Sequence, residues 1–314
     1  FEHYHFNSFS LPVPGPGGGT FHARHEPELL GYGENTPEYK AAFTAWYRAA
    51  EAHLREKGWL DEAFIYWFDE PEPDDYDFVM NGFRKLKEAA PALNRMLTEE
   101  VTQELVGGPN LWCPVSFNYD HEKAESRRAE GEKFWWYICT GPKAPYATLF
   151  IDHPGTELRV WLWQTWERSI GGILIWESNY WTSEAAYPDV PQNPYEDPMG
   201  WTSGYSTPAG VRRPWGNGDG RFIYPPLAAA NGRPDGPVLD APVGSMRLDM
   251  LRDGIEDYEY LTLLREKVES YAKEHPDAAP SPYRRLLEVP DAITASMTEF
   301  TWDPAPIEAH REAV

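Results

Sequence analysis

The sequence predicts an α/β fold, a (β/α)8 TIM-type barrel spanning residues 1–314, and three observations predict it. Apolar strand-like runs alternate with amphipathic helical patterns, which argues for a parallel sheet. The runs end in polar or aromatic residues, the position at which barrels carry their chemistry. One run, Phe64-Ile65-Tyr66-Trp67-Phe68, has five apolar residues and stops at Asp69, Glu70 and Pro71. A continuous apolar run of this length reads as a strand buried on both faces. After it come Pro73, Asp74 and Asp75, then Phe78, Val79, Phe83 and Leu86 at helical spacing. Strand, acidic turn and helix make a βα unit. Asp69 and Glu70 could serve only to cap that helix. Asp74 and Asp75 are better placed for the cap, which leaves the Asp69–Glu70 pair for chemistry.

The remaining elements follow in order. Glu2 to Phe9 reads as a strand with His5 and Asn7 toward its end, and Pro12 to Gly19 as a loop. Thr36-Pro37-Glu38 starts a helix, with an N-cap followed by proline at the first helical position. Phe43, Trp46, Tyr47, Ala50 and Leu54 share its face, and Gly58 ends it. Strands are expected over 94–99, with Thr98 and Glu99 at the end, over 110–117, with Asn118 and Tyr119 beyond, and over 134–139. The polar segment 121–132 is expected as an exposed helix. Thr156 opens a helix with Leu158, Leu162, Trp166 and Ile170 inward. The last strand, 172–176, leads into Glu177, Asn179, Tyr180 and Trp181.

That makes six strands against the eight of a barrel. Either the missing ones lie in 10–35, or the chain lacks its first βα units; the second is the expectation, because Phe1 opens inside a strand-like run. Sheet edges left exposed in this way favour self-association or a covering partner segment. Residues 182–220 show no periodicity and carry Trp201, Tyr205 and Trp215, so an ordered loop over the barrel mouth is expected. Residues 245–314 read as a C-terminal helical segment, opened by a long helix from Ser245 to Ala272 that Gly254 interrupts.

Composition narrows the function. A net charge of −22 argues against nucleic acid, since phosphate contacts need Lys and Arg. No apolar run approaches the roughly eighteen residues of a membrane helix. Fourteen Trp and eighteen Tyr exceed what a core needs and hint at carbohydrate, whose C–H faces stack on rings. Cys113 and Cys139 each sit in an apolar run and read as two thiols rather than a disulfide or a zinc site. His3, His5, His22 and His25 have no spacing that supports a metal, so no metal or cofactor is expected. No signal peptide is read in this stretch; a secreted or periplasmic location is compatible with it, and the compartment stays open.

Three motifs then become specific: Trp67-Phe68-Asp69-Glu70-Pro71; Gly218-Asp219-Gly220 with Tyr224-Pro225; and Arg252-Asp253-Gly254-Ile255-Glu256-Asp257-Tyr258-Glu259-Tyr260-Leu261. In this order they resemble the catalytic domain of glycoside hydrolase family 123, the β-N-acetylgalactosaminidases, from Phe1 to about Val268. The last motif is the most specific, and it marks the domain superfamily better than the activity. Family members usually carry a β-sandwich before a complete barrel, and this chain shows neither that sandwich nor the first strands.

Most glycosidases flank the sugar with two carboxylates, about 5–5.5 Å apart when retaining and about 6.5–9.5 Å apart when inverting. Neighbours on one strand end are poorly placed to do that. They suit a mechanism in which the substrate's own 2-acetamido oxygen attacks the anomeric carbon. Glu70 would then be the acid and base, and Asp69 the anion that orients the acetamido N–H; the resemblance implies the same roles. Glu70 must hold a proton that Asp69 gives up, which burial and the neighbouring charge favour.

The implied activity is an exo-β-N-acetylgalactosaminidase acting with retention on terminal β-linked N-acetylgalactosamine (GalNAc) of a glycan or glycoconjugate. The preference for the galacto over the gluco sugar comes from the resemblance alone. Two alternatives stand beside it: an ordinary retaining β-glycosidase with Glu177 as nucleophile, and a non-catalytic carbohydrate-binding barrel or fragment. Glu99 is expected as a supporting acid. Trp67, Trp135, Tyr137, Trp176, Trp181 and Trp215 are the candidate sugar platforms, with Trp176 and Tyr137 preferred. Asn7, Asn118, Asn179 and Glu177 are the candidate polar partners. Arg252-Asp253 and Glu256-Asp257 read as salt bridges that dock a helix.

Overall fold

Thr36 accepts a hydrogen bond from the Tyr39 amide at 3.3 Å and Pro37 takes the first helical position, so the first long helix starts where its sequence requires. The computed structural model describes residues 3, 6–20, 23–182, 192–204, 208–230, 236–277 and 279–314. They form two compact units, Phe1–Trp136 and Tyr137–Val314.

The strands of the first unit are β1 (Phe9–Ser10), β2 (Gly18–Thr20), β3 (Ala23–His25), β4 (Glu28–Leu29), β5 (Tyr32–Gly33), β6 (Ala63–Ile65), β7 (Phe68–Asp69), β8 (Asn94–Leu97), β9 (Leu111–Trp112) and β10 (Lys133–Tyr137). Its helices are α1 (Pro37–Lys57), α2 (Tyr76–Ala89) and α3 (His121–Arg128). Strands β1, β6, β8, β9 and β10 lie side by side in that order, every pair parallel. The register sets Phe9 against Ala63, Phe64 against Asn94 and Met96 against Leu111. Helix α1 buries Tyr39, Phe43, Tyr47 and Leu54, and α2 buries Val79, Phe83 and Leu86. Each such side chain contributes about 1.5–3 kcal/mol by leaving water.

The α/β class and the βα rhythm are therefore present. A closed eight-stranded barrel is not among the described strand pairings. Residues 10–35 hold short strands and a hairpin of β4 with β5, not further βα units. Several expected strands are shorter among the described residues: of 6–10 only Phe9–Ser10 is strand, and that expected over 110–117 is Leu111–Trp112.

The run 64–68 is not one strand. It leaves the large sheet after Ile65, breaks at Tyr66 and Trp67, and resumes at β7. There Phe68 pairs with Gly19 and Asp69 with Thr20, in a small sheet of β3, β2 and β7. Trp67 packs, half-buried, against the aromatic side chains of α2, with ring centroids 5.9 Å from Phe78 and 5.7 Å from Phe83. Gly82 of α2 makes room for it: a Cβ there would come within 2.4 Å of the indole.

The second unit contains α4 (Thr156–Glu167), β11 (Gly172–Leu174), β12 (Met199–Thr202), β13 (Arg213–Asn217), β14 (Ile223–Tyr224), β15 (Val243–Gly244), α5 (Met246–Glu274) and α6 (Ala305–Ala313). The segment 182–220 is not a plain loop, since β12 and β13 pair antiparallel within it. Tyr205 lies outside the described residues. Helix α4 is buried on every side from Glu157 to Trp166. Gly254 lets α5 approach it, because a Cβ at that position would sit 3.1 Å from the Arg159 Cα and from Leu162. Asp257, 1% exposed, accepts from Arg159 Nε at 2.6 Å, Arg159 Nη2 at 3.0 Å and Trp163 Nε1 at 2.9 Å. Tyr258 donates to the Ile170 carbonyl at 2.9 Å. The docking role expected of this motif thus falls on Asp257. Arg252 stays on the surface beside Asp249, Asp253 and Glu256.

Candidate active site

In the first unit the candidate pair sits where β7 ends. The 3-10 turn Pro73–Asp75 that leads into α2 is capped without it: the Glu72 amide donates to Asp75 Oδ2 at 3.2 Å, in a reciprocal capping box. Asp69 Oδ1 accepts from the Tyr66 hydroxyl at 2.5 Å and from the Thr98 hydroxyl at 3.2 Å. The Glu70 amide donates to Thr98 Oγ1 at 3.0 Å. Thr98 thus holds both members of the pair from the end of β8, and Tyr66 holds Asp69 from the break in the 64–68 run. Burial, then the Asp69 charge, pushes the Tyr66 hydroxyl far above its ordinary range, so it acts only as a neutral donor.

Glu70 has φ +45°, in the left-handed region where a residue with a Cβ is strained. Such strain costs about 1–3 kcal/mol and gathers at functional sites. Next to it, the Glu99 carboxyl is pushed up to about 8, first by burial, then by Glu100, with the Glu70 charge adding to the shift. Asn118 is exposed and donates to Glu100 Oε2 at 3.2 Å. Asn7 is exposed and precedes β1, the opposite side of that strand from the one expected.

In the second unit, Trp176 is 36% exposed and lies 5.3 Å from the Tyr180 ring and 6.0 Å from the Trp215 ring. Its Nε1 donates to Asp219 Oδ1 at 3.0 Å. Glu177 Oε1 accepts from the amides of Ser178 at 3.1 Å and Asn179 at 3.3 Å, so this acid ties its own loop. Asn179 is exposed and bridges to Arg221 through the backbone. Trp181 is half-buried and donates from Nε1 to the Ile223 carbonyl at 2.8 Å. Tyr137 is only 3% exposed.

Tyr137 is packed inside its unit, and Trp67 is half-buried against Phe78 and Phe83. Glu177 accepts from the amides of its own loop. Two partners escaped the reading of the sequence. Tyr66 looked like one apolar strand residue among five, and Asp219 was quoted only within a motif. The signal for Asp219 was an acid between two glycines. His5 and His22 lie outside the described residues, and no group of His, Cys, Asp and Glu that could hold a metal occurs among the described ones. Cys113 and Cys139 are free thiols, the first buried and the second half-buried. No described helix is long and apolar enough to cross a membrane.

Comparison with known proteins identifies the family. A family model described as "Glycoside hydrolase 123, catalytic domain" matches residues 22–264. A solved family 123 glycoside hydrolase from Clostridium perfringens, studied for glycolipid glycan hydrolysis, is similar at 15% identity and TM-score 0.51. The alignment covers 92% of this chain and 46% of that one, so the chain spans less than half the length of that relative. A putative glycerophosphoryl diester phosphodiesterase from Silicibacter pomeroyi DSS-3 aligns at 14% identity over 43% of this chain and 41% of its own, with a TM-score of 0.24 that carries no argument. No curated protein matches. With a match that spans well over half of its residues, the chain belongs to the glycoside hydrolase 123 catalytic-domain family.

Proposed function

We propose that the protein is an exo-β-N-acetylgalactosaminidase that hydrolyses terminal β-linked GalNAc with retention, using the substrate's 2-acetamido group as nucleophile. The observation that carries this reading is the state of Asp69. Both hydroxyl donors, Tyr66 and Thr98, reach the same oxygen, Oδ1. Oδ2 accepts no hydrogen bond among the described residues and suits an acetamido N–H.

In the first step the acetamido oxygen attacks the anomeric carbon while Glu70 gives its proton to the departing glycosidic oxygen. Asp69 accepts from the acetamido N–H and balances the positive charge of the oxazolinium ring. In the second step water attacks the anomeric carbon, Glu70 takes its proton, and the acetamido oxygen leaves. Two inversions give net retention. Thr98 fixes the relative orientation of the two acids, and the strained backbone at Glu70 is consistent with a side chain whose direction matters more than its comfort. Within the second unit, taken by itself, Trp176 is the ring proposed to stack on a sugar, with Asn179 and Trp181 on the same loop. The relative's glycolipid glycans support a glycoconjugate substrate. Glu177 as nucleophile is disfavoured because its carboxylate is tied to the Ser178 and Asn179 amides.

The test compares three aryl glycosides. The β-N-acetylgalactosaminide should turn over, and the plain β-galactoside, which lacks the N-acyl arm, should not. Brisk cleavage of the galactoside would move the nucleophile to the protein, and turnover of neither would leave binding as the function. The gluco epimer sets the galacto preference.

A further inference from the structure

We infer that Asp219 is a positioning residue that holds the Trp176 indole in the orientation it presents to a sugar ring. This deepens the reading of Trp176 as a stacking platform and rests on it. An indole has a single donor, so an acceptor fixed at Nε1 sets both the tilt and the rotation of the ring. Asp219 supplies that acceptor at 3.0 Å and is itself 3% exposed. Its second oxygen, Oδ2, is buried without a hydrogen-bond partner among the described residues. A turn aspartate that served only its own backbone would face solvent and spend both oxygens locally.

The two glycines of Gly218-Asp219-Gly220 show what the turn is pressed against. Both have left-handed backbones, φ +77° and +69°. A Cβ at Gly218 would stand 2.6 Å from Arg247 Nη2 and from Ile151. One at Gly220 would stand 2.9 Å from the Trp176 ring, 3.1 Å from Tyr180 and 3.3 Å from Glu177. The turn is therefore wedged between the start of α5 and the underside of Trp176, and only glycine fits on either side of the acid.

A second explanation, that Asp219 neutralises the nearby arginines, fails on geometry. Arg221 donates to the Pro198 carbonyl and to Gln192 Oε1, both at 2.9 Å. Arg247 donates to the carbonyls of Leu149, Gly218 and Arg221. Neither forms an ion pair with Asp219 among the described residues. Burial dominates the carboxyl, which is pushed up to about 6. The Trp176 and Gly220 N–H groups and the charges of Arg247 and Arg221 hold it from rising further. Arg221, Arg247, Glu177 and Tyr180 are the charged and titratable groups around it.

The test follows the indole N–H of Trp176 by 15N NMR, assigned through its loss in Trp176→Phe. The wild-type resonance should step as pH crosses about 6, should move when free GalNAc is added, and should shift strongly in Asp219→Leu. Asp219→Asn keeps an acceptor and removes the titration, so the resonance should stay near its wild-type place and lose the pH step. In calorimetric titration with free GalNAc, Asp219→Leu should weaken binding about tenfold, and Asp219→Asn should restore it. In a Trp176→Phe background, Asp219→Leu should add less than about twofold, because its effect passes through the ring.

If Asp219→Leu fails to fold, the lost pH step in Asp219→Asn decides the matter. A resonance that answers GalNAc but ignores both pH and Asp219 substitution overturns the role of Asp219 alone. One that titrates through Asp219 yet ignores GalNAc overturns Trp176 as a platform, and the sugar-facing role of Asp219 with it.

Discussion

The carboxylates of the two units are treated differently. In the second unit Asp257 meets the Arg159 guanidinium and Trp163, and Glu177 meets two loop amides, whereas Asp219 meets one indole through a single oxygen. In the first unit Asp69 is held by two hydroxyls on one oxygen, and Glu99 sits among other acids with its proton affinity raised. Acids matched to dedicated donors fasten a fold. Glu99, crowded by Glu100 and Glu70, has its proton affinity raised toward neutrality, and such shifts cluster at functional sites.

Substitutions can break or sharpen that contrast. The largest effect is expected at Glu70: Glu70→Gln should lower kcat on an unactivated GalNAc glycoside by about 10³-fold, read by steady-state kinetics, because it loses both acid and base. Undiminished turnover would remove the first unit's claim to the chemistry. Asp257→Ala should leave the buried Arg159 without its partner and cost about 3–5 kcal/mol of stability, read from urea unfolding. A variant as stable as the parent would show that Asp257 is not a fastener.

A smaller effect is expected from Glu99. Its carboxyl holds a proton in the folded chain between its ordinary value near 4.5 and about 8, a window in which the unfolded chain has already released it. The folded state therefore binds more protons there, and stability declines as pH rises through that window. Glu99→Gln should flatten the decline in urea midpoints measured from pH 5 to 8, and an unchanged slope would assign the effect to another group. The smallest effect on turnover belongs to Glu177: Glu177→Gln keeps an acceptor for its loop and should change kcat by less than about threefold. A collapse of activity there would reverse the comparison and make the second unit the source of the nucleophile.

Much of this was legible in the sequence because local chemistry decided it. Thr36, Pro37 and Gly58 placed the ends of α1, and Ser245 placed the start of α5, where its hydroxyl accepts from the Leu248 amide at 3.3 Å. The Asp69–Glu70 pair was legible because a long apolar run ended on two acids. What stayed hidden depended on contacts distant in sequence. Nothing in residues 64–68 announces that Gly19 and Thr20 will draw Phe68 and Asp69 out of the main sheet. Nor does anything near Trp67 announce that Gly82, fifteen positions on, is what lets its indole pack against α2. The antiparallel β12–β13 pair was invisible because its Gly-Trp-Thr and Pro-Trp-Gly stretches carry no alternation to mark a strand.

The left-handed backbone at position 70 has a consequence for how this protein can change. Glycine is the residue that such a conformation prefers, so selection for robustness alone pushes position 70 toward it. Under the mechanism proposed above, only selection for turnover keeps a long acidic side chain there. In a library screened for heat tolerance without a catalytic readout, hardier and silent clones would arise through the same codon.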